Sequence, residues 1–304
     1  MLYSYPKFDG YDLGFLRVGG PGLGNNLFPW ARSLVASNRY NLVPLAPTWR
    51  QFKIGPFIRN EKDKRLYYGL FKTAPGHICG WRKVFALTRL SAVDEQSLYE
   101  GAIPDDGSDK VVIFKGMDSY FGNILRNHAY VKQELLRITR EPHKKSLGFD
   151  FSGSISVHVR LTDFALSSQQ IPISWYISIV KRIRAAVESD APVYVFTDGK
   201  DKEIAPLLNM PNSRKLAFGS SIGDLIALSR AHILVTSAST FSAWASYLGR
   251  MPVIWNKGKM VQNLYYENDF LEIQVDEGEA FPAPFNAAIR YQFRHDADHE
   301  PIKV

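Results

Sequence analysis

Short β-branched or aromatic runs recur along the chain, at Phe15 to Val18, Val111 to Phe114, Ile155 to Val159, Val193 to Phe196, His232 to Val235 and Val253 to Trp255. Helical patterns separate several of them. The clearest begins near Ser174, where Ile179, Ile183, Ala186 and Val187 fall on one face while Lys181, Arg182 and Arg184 take the other. Strand alternating with helix predicts an α/β architecture built on parallel sheets. No internal repeat or low-complexity tract interrupts the alternation, which removes solenoids and propellers.

After a helix expected over Tyr130 to Ile138, the run Glu141-Pro142-His143-Lys144-Lys145 and the glycines at 148 and 153 break the pattern. They predict a boundary between Arg140 and Ser154 and two domains, 1–150 and 151–304. The second reads as strand, helix, strand, helix, strand, helix, strand from Ile155 to Trp255. The first is expected to open with the strand ending at Val18, pass through Gly19-Gly20-Pro21-Gly22-Leu23-Gly24-Asn25-Asn26, and enter a helix through Ala31 to Ala36.

The 304 residues give room for two such cores without disulfide or metal staples. A single cysteine, Cys79, excludes an intrachain disulfide framework and any multi-cysteine metal site, and is expected to be a small buried hydrophobe. Thirty-seven Lys and Arg against thirty Asp and Glu leave a net charge of +7. That excess gathers in the middle of the first half, where Arg50, Lys53, Arg59, Lys62, Lys64, Arg65, Lys72, Arg82, Lys83 and Arg89 meet only Glu61 and Asp63. No nucleic-acid-binding motif accompanies it, so nucleic acid is not an expected partner. The N-terminal residues are interrupted by Lys7, Asp9 and Asp12 and do not form a secretory signal, and no apolar run is long enough to span a bilayer. A cytoplasmic protein is expected.

Four segments carry candidate chemistry. The glycine-rich turn can bring backbone amides to a phosphate, with Asn25 and Asn26 as further donors. It lacks the dinucleotide and P-loop spacings, so a structural turn, with helix capping by an Asn, stands beside the ligand loop. Ser156 to Phe164 places His158 and Arg160 at the carboxyl end of a predicted strand, where ligands bind in open α/β sheets, and a guanidinium fork suits a pyrophosphate. Asp198 follows the strand Val193 to Phe196 and suits either a base or ribose or the cap of a helix near Lys200. Thr236 to Ala245 supplies hydroxyls at a helix entry, as an anion site or a serine-rich cap.

Together, Gly22-Leu-Gly-Asn-Asn-Leu-Phe28, His158-Val-Arg160 with Asp163, Val195-Phe-Thr-Asp198, and Asp224-Leu-Ile-Ala-Leu-Ser229 leading to Ser239-Thr-Phe-Ser-Ala-Trp244 follow the order of motifs in bacterial α-1,2-fucosyltransferases. The chain resembles that family from Val18 to Trp255, and more distantly the α-1,6- and protein O-fucosyltransferases. The resemblance implies a GT-B fold, two Rossmann-like domains facing a cleft, with the second holding GDP-fucose. It implies a metal-independent, inverting transfer to a glycan hydroxyl, without cofactor, in the assembly of a surface polysaccharide. Arg160 would bind the pyrophosphate, His158 and Asp163 would shape that site, Ser239 and Thr240 would contact phosphate, and Asp198 would lie near the nucleotide. Gly24 and Asn25 would close over the donor from the first domain.

The chain departs from the family where Leu161, Thr162, Asp163 and Phe164 replace a second Arg and a Gly-Asp-Tyr, and where Asn26 replaces Gln. Another nucleotide sugar as donor and a non-catalytic glycan-binding protein therefore stay as alternatives. The attacking hydroxyl needs a proton acceptor, for which Asp163 or a carboxylate of the first domain is expected. The basic segment, interleaved with Trp49, Phe52, Phe57, Tyr67, Tyr68, Phe71 and Trp81, suits an acceptor glycan, peripheral contact with an anionic membrane surface, or a solvated face.

Overall fold

The computed structural model describes residues 1–53, 66–161 and 170–295. The chain divides into two compact units, Met1–Lys144 with Ser220–Ile222, and Lys145–Gly219 with Gly223–Val304. The strands of the first are β1 (Leu2–Lys7), β2 (Tyr11–Asp12), β3 (Arg17–Val18), β4 (Val43–Pro44), β5 (Gln51–Phe52), β6 (Ser91–Asp94) and β7 (Lys110–Lys115). Its helices are α1 (Leu23–Tyr40), α2 (Gly80–Arg89), α3 (Glu95–Tyr99) and α4 (His128–Ile138).

Four of these strands form a parallel sheet in the order β4-β1-β7-β6. Period-two alternation divides its side chains between two cores. Val112 and Phe114 pack with Ala36, Leu42 and Leu98, whereas Val111 packs with Tyr5, Leu45 and Ala86. Fully burying a side chain of this size stabilises by about 1.5–3 kcal/mol. Arg32, buried in α1, ties the layer together: its Nε and Nη2 donate to the two oxygens of Glu95 at 2.9 Å each, and Nη2 also donates to the Lys115 carbonyl at 2.6 Å.

The leading strand of this unit is Leu2–Lys7 and not Phe15 to Val18. Only Arg17–Val18 of the expected run is extended. It belongs to a separate three-stranded sheet, antiparallel to β2 and parallel to β5. Both apolar ends of the run face solvent, Phe15 from the turn that precedes β3 and Val18 from β3 itself, so hydrophobicity alone does not mark a core strand.

The second unit contains β8 (Ile155–Val159), β9 (Val193–Thr197), β10 (Ser213–Lys215), β11 (Ile233–Val235), β12 (Val253–Asn256) and β13 (Glu272–Val275). Between and after them run α5 (Ile173–Val187), α6 (Ala205–Leu208), α7 (Ser221–Leu228), α8 (Thr240–Gly249) and α9 (Ala283–His295). All strand pairs are parallel, in the order β10-β9-β8-β11-β12-β13. Counted in chain order this is 3-2-1-4-5-6, the doubly wound dinucleotide-binding order. Ile155, Val157 and Val159 of β8 enter the core with Trp175, Ile179 and Ile183 of α5. That leaves Ser156 and His158 for the opposite face.

Candidate functional site

Strand order in the second unit reverses between β8 and β11, and sheets of this kind bind ligands beyond the carboxyl ends of the strands at that point. Arg160 follows β8 there, and Thr236 to Ser239 follow β11 into α8.

The register fixes what stands beside Arg160. Val159 pairs with Thr197 across β8 and β9, so Arg160 and Asp198 leave the sheet as neighbours. Arg160 Nη1 lies 3.0 Å from Asp198 Oδ2, and Asp198 Oδ1 accepts the Leu161 N–H at 2.9 Å. Both side chains keep about a quarter of their surface exposed, at 27% and 23%. One carboxylate therefore orients the guanidinium and fastens the backbone beyond it. Asp198 is not the cap of the following turn: Lys200 precedes that turn, and Glu203 accepts its N–H at 2.6 Å.

His158 is held by hydroxyls. Its ring is buried, tilted over Phe241 with centroids 5.3 Å apart, and its Nδ1 lies 2.7 Å from Ser242 Oγ and 3.1 Å from Ser237 Oγ. Burial, and then the Arg160 charge, hold the imidazole down to about 4, with Asp198 pulling the other way. The ring is neutral near pH 7 and acts as a post for hydroxyls. Ser239 Oγ joins them at 3.2 Å from Ser237 Oγ and 3.1 Å from Ser242 Oγ, and caps α8 by accepting the Ser242 N–H at 3.1 Å. Thr240, half-buried, opens the helix. The Ser239 and Ser242 amides are already bonded, to the Ser237 carbonyl at 2.8 Å and to Ser239 Oγ at 3.1 Å, so what this end offers an anion is its hydroxyls and the positive end of the α8 dipole.

The structure thus brings His158, Arg160, Asp198, Ser239 and Thr240 to one end of one sheet. Asp163 lies outside the described residues. Ser237 and Ser242 belong to the hydroxyl-bearing segment Thr236 to Ala245, but that they hold His158 is a finding of the structure. Their signal was spacing, since a strand-end serine and a serine at the third helical position both turn toward a residue on the face of β8. Asp224 in α7 accepts the Phe218 N–H at 2.7 Å and shapes the loop before that helix.

Gly24 and Asn25 stand on the first turn of α1 in the other unit, the glycine buried and Asn25 half-buried. The glycine turn before them closes on a side chain of its own unit. Arg17 is wholly buried, donating from Nη1 to the Asp9 carbonyl at 2.7 Å and to Asn26 Oδ1 at 3.2 Å, and from Nη2 to Gln51 Oε1 at 2.6 Å. Its guanidinium lies over the Phe8 ring, 5.2 Å from the centroid, and burial lowers its pKa. Gly20 has φ +107°, and a Cβ there would fall 2.4 Å from Arg17 Nη1 and 2.3 Å from the Asp9 carbonyl oxygen. Gly20 is therefore required by Arg17, and Asn26 serves Arg17 in place of capping α1. Gly22 holds the cap position with no side-chain bond.

The basic segment separates into parts. Trp49, Tyr67 and Phe71 are core residues, with the Trp49 and Phe71 rings 4.2 Å apart, and Lys83 is buried with Nζ donating to Thr48 Oγ1 at 2.8 Å. Phe52, Tyr68 and Trp81 are exposed. Phe57, Arg59, Lys62, Lys64 and Arg65 lie outside the described residues. Cys79 is exposed, contrary to the burial expected of it, because it occupies the extended position just before α2 at the surface. Among the described residues no cluster of three or more His, Cys, Asp or Glu is arranged to hold a metal ion, and no helix is long and apolar enough to cross a membrane.

No protein-family model matches the chain, and no curated protein matches it. Solved structures do. NodZ α-1,6-fucosyltransferase soaked with GDP-fucose matches with TM-score 0.50 and 17% identity, over 80% of this chain and 94% of that chain. The same enzyme co-crystallised with GDP matches over the same shares with TM-score 0.50 and 15% identity. Fucosyltransferase NodZ from Bradyrhizobium gives TM-score 0.50 and 14% identity over 80% and 95%. At these identities the likeness concerns architecture, and nothing in it speaks for an α-1,2 linkage. The chain has the α/β GT-B fold with parallel sheets that its motifs led us to expect.

Proposed function

We propose that the protein is a glycosyltransferase that moves fucose from GDP-fucose to a hydroxyl of a glycan. The observation that carries this is Arg160, oriented by Asp198 at the switch point of a doubly wound sheet, beside the serine-capped start of α8. The fold shared with a fucosyltransferase that was soaked with GDP-fucose supports the choice of donor.

In the proposed reaction the acceptor oxygen attacks the anomeric carbon from the side opposite the diphosphate. The bond from that carbon to the phosphate oxygen breaks, and its electron pair departs with GDP. Negative charge therefore grows on the diphosphate, where Arg160, the positive end of the α8 dipole and the hydroxyls of Ser239 and Thr240 oppose it. A guanidinium already at this place supports transfer without a metal. Neutral His158 fixes the hydroxyls through Ser237 and Ser242. Asp163 is the proposed acceptor of the hydroxyl proton.

A screen of nucleotide release from GDP-fucose, GDP-mannose and UDP-sugars, run with and without EDTA, tests the proposal. GDP released from GDP-fucose alone, unaffected by EDTA, is expected. Release from a different nucleotide sugar would reassign the donor, and binding of glycan with no release from any of them would make the protein a binding module.

A further inference from the structure

Helix α2, of sequence GWRKVFALTR, contains no acidic residue. Lys83 and Ala86 are buried beneath it, with Lys83 Nζ over the Tyr5 ring at 4.9 Å from the centroid, which fixes the helix rotation. At 100° per residue the opposite arc, about 120° wide, carries Trp81, Arg82, Phe85, Thr88 and Arg89. All five are exposed, Trp81 at 76%.

A second apolar row lies on the small sheet beside it. Tyr11 pairs with Val18 across β2 and β3, and Val18 pairs with Phe52 across β3 and β5, so the three side chains share one face. All three are exposed, Tyr11 at 71%, while Arg17 and Gln51 on the other face are buried. The turn from Leu13 to Leu16, closed by a 2.9 Å bond from the Leu13 N–H to the Leu16 carbonyl, links the two surfaces. It carries the exposed Leu13 and Phe15, and a Cβ at Gly14 would lie 3.3 Å from Leu87 Cδ1 and 3.5 Å from Val84 Cγ2 of α2.

We propose that this face of the first unit docks on an anionic lipid bilayer surface, with Trp81, Phe85 and Phe15 entering the interface and Arg82 and Arg89 meeting headgroup phosphates. Exposed bulky apolar side chains grouped this closely mark an interaction site. Aromatic residues beside arginines on one helical arc match the interfacial zone, which takes up rings at headgroup level and attracts cations to anionic lipid. The two alternatives fit less well. A second copy of this chain would bring together two faces that each carry Arg82 and Arg89 with no acidic residue of α2 to meet them, and a sugar ring would leave Leu13 and Val18 against water. The inference does not depend on the identity of the transferred sugar.

Flotation of the full chain with vesicles of phosphatidylcholine alone and of phosphatidylcholine mixed with phosphatidylglycerol tests it. The protein should float with the anionic vesicles only, and added salt should reduce the floated fraction. R82Q/R89Q should weaken partitioning about tenfold or more, and W81S/F85S should weaken it comparably while leaving thermal unfolding near that of the parent, because both pairs are exposed. An environment-sensitive fluorophore on the single, exposed Cys79, next to α2, gives a readout that needs no variant. Its emission should shift to the blue on anionic vesicles. Failure to float, flotation unchanged by both double variants, an unshifted fluorophore, or concentration-dependent self-association through the same residues would each overturn the proposal.

Discussion

Asp198 grips Arg160 from the adjacent strand, with Oδ2 3.0 Å from Nη1, and takes the next backbone N–H with its other oxygen. The carboxylate thus sets both the direction of the guanidinium and the path of the chain leaving β8. Replacing Arg160 with Ala should lower kcat by about 10²–10³, the usual cost of removing a donor aimed at developing charge. Asp198→Asn keeps an oxygen for the Leu161 N–H and should cost about tenfold or less, whereas Asp198→Ala frees both groups and should cost more. Steady-state kinetics on the three variants check the ranking, and an Asp198→Ala enzyme as active as the parent would refute it.

His158 makes stability depend on pH in one direction. Its folded pKa, about 4, lies below the ordinary imidazole value of 6.5. Between those two values the unfolded chain binds a proton that the native state refuses, so stability is complete above the window and falls as pH drops through it. The full shift corresponds to roughly 3 kcal/mol, reached only below the folded value. Urea midpoints at about pH 7.5 and about pH 5 should differ less in His158→Gln than in the parent. Equal differences would show that His158 titrates as freely in the native state as in the unfolded one.

Ser239 has two roles that one substitution separates by magnitude. Its hydroxyl caps α8, and losing a cap costs about 1 kcal/mol. Ser239→Ala should therefore lower the unfolding midpoint modestly and, in the proposed function, weaken GDP binding as well. Ser242→Ala removes the closer of the two hydroxyls on His158 and should destabilise by about 1–2 kcal/mol through the buried imidazole. Chemical denaturation measures both, with GDP titration as the second readout for Ser239.

The glycine turn offers a paired test. Gly20→Ala forces a Cβ into Arg17 and the Asp9 carbonyl at a positive φ, and should cost about 2 kcal/mol or more. Gly22→Ser enters open space with an ordinary φ of −72° and adds a capping hydroxyl, so its effect should stay within about 0.5 kcal/mol or be slightly favourable. Denaturation midpoints in the reverse order would remove the assignment of Gly20 to Arg17.

The second unit was legible because both halves of its code are local. In Ile155–Val159 the β-branched Ile155, Val157 and Val159 alternate with Ser156 and His158, every position is buried, and α5 carries an unbroken apolar stripe. The end of β8 marked Arg160 by position alone. What sequence could not supply was register: Asp198 belongs to Arg160 because Val159 pairs with Thr197, a non-local fact. The first unit misled for a related reason. Leu2–Lys7 mixes tyrosines, a serine and a proline, so its alternation is weak, while Phe15 and Val18 of the more apolar run face water. Arg17 escaped notice because a buried arginine held by neutral oxygens leaves no trace in spacing or charge pattern. Cys79 and Lys83 show the same limit from opposite sides, since tertiary position exposed the first and buried the second.

In the proposed function Arg160, at the switch point of the second unit, holds the diphosphate of a GDP-sugar. Isothermal titration of GDP-fucose into the parent protein and into folded Arg160→Ala, with GDP-mannose and a UDP-sugar as comparisons, tests it most directly. Saturable binding of GDP-fucose by the parent, weaker binding of the other two, and loss of binding in the variant are expected. Equal affinity of parent and variant for GDP-fucose, or no binding of any nucleotide sugar by the parent, would contradict it.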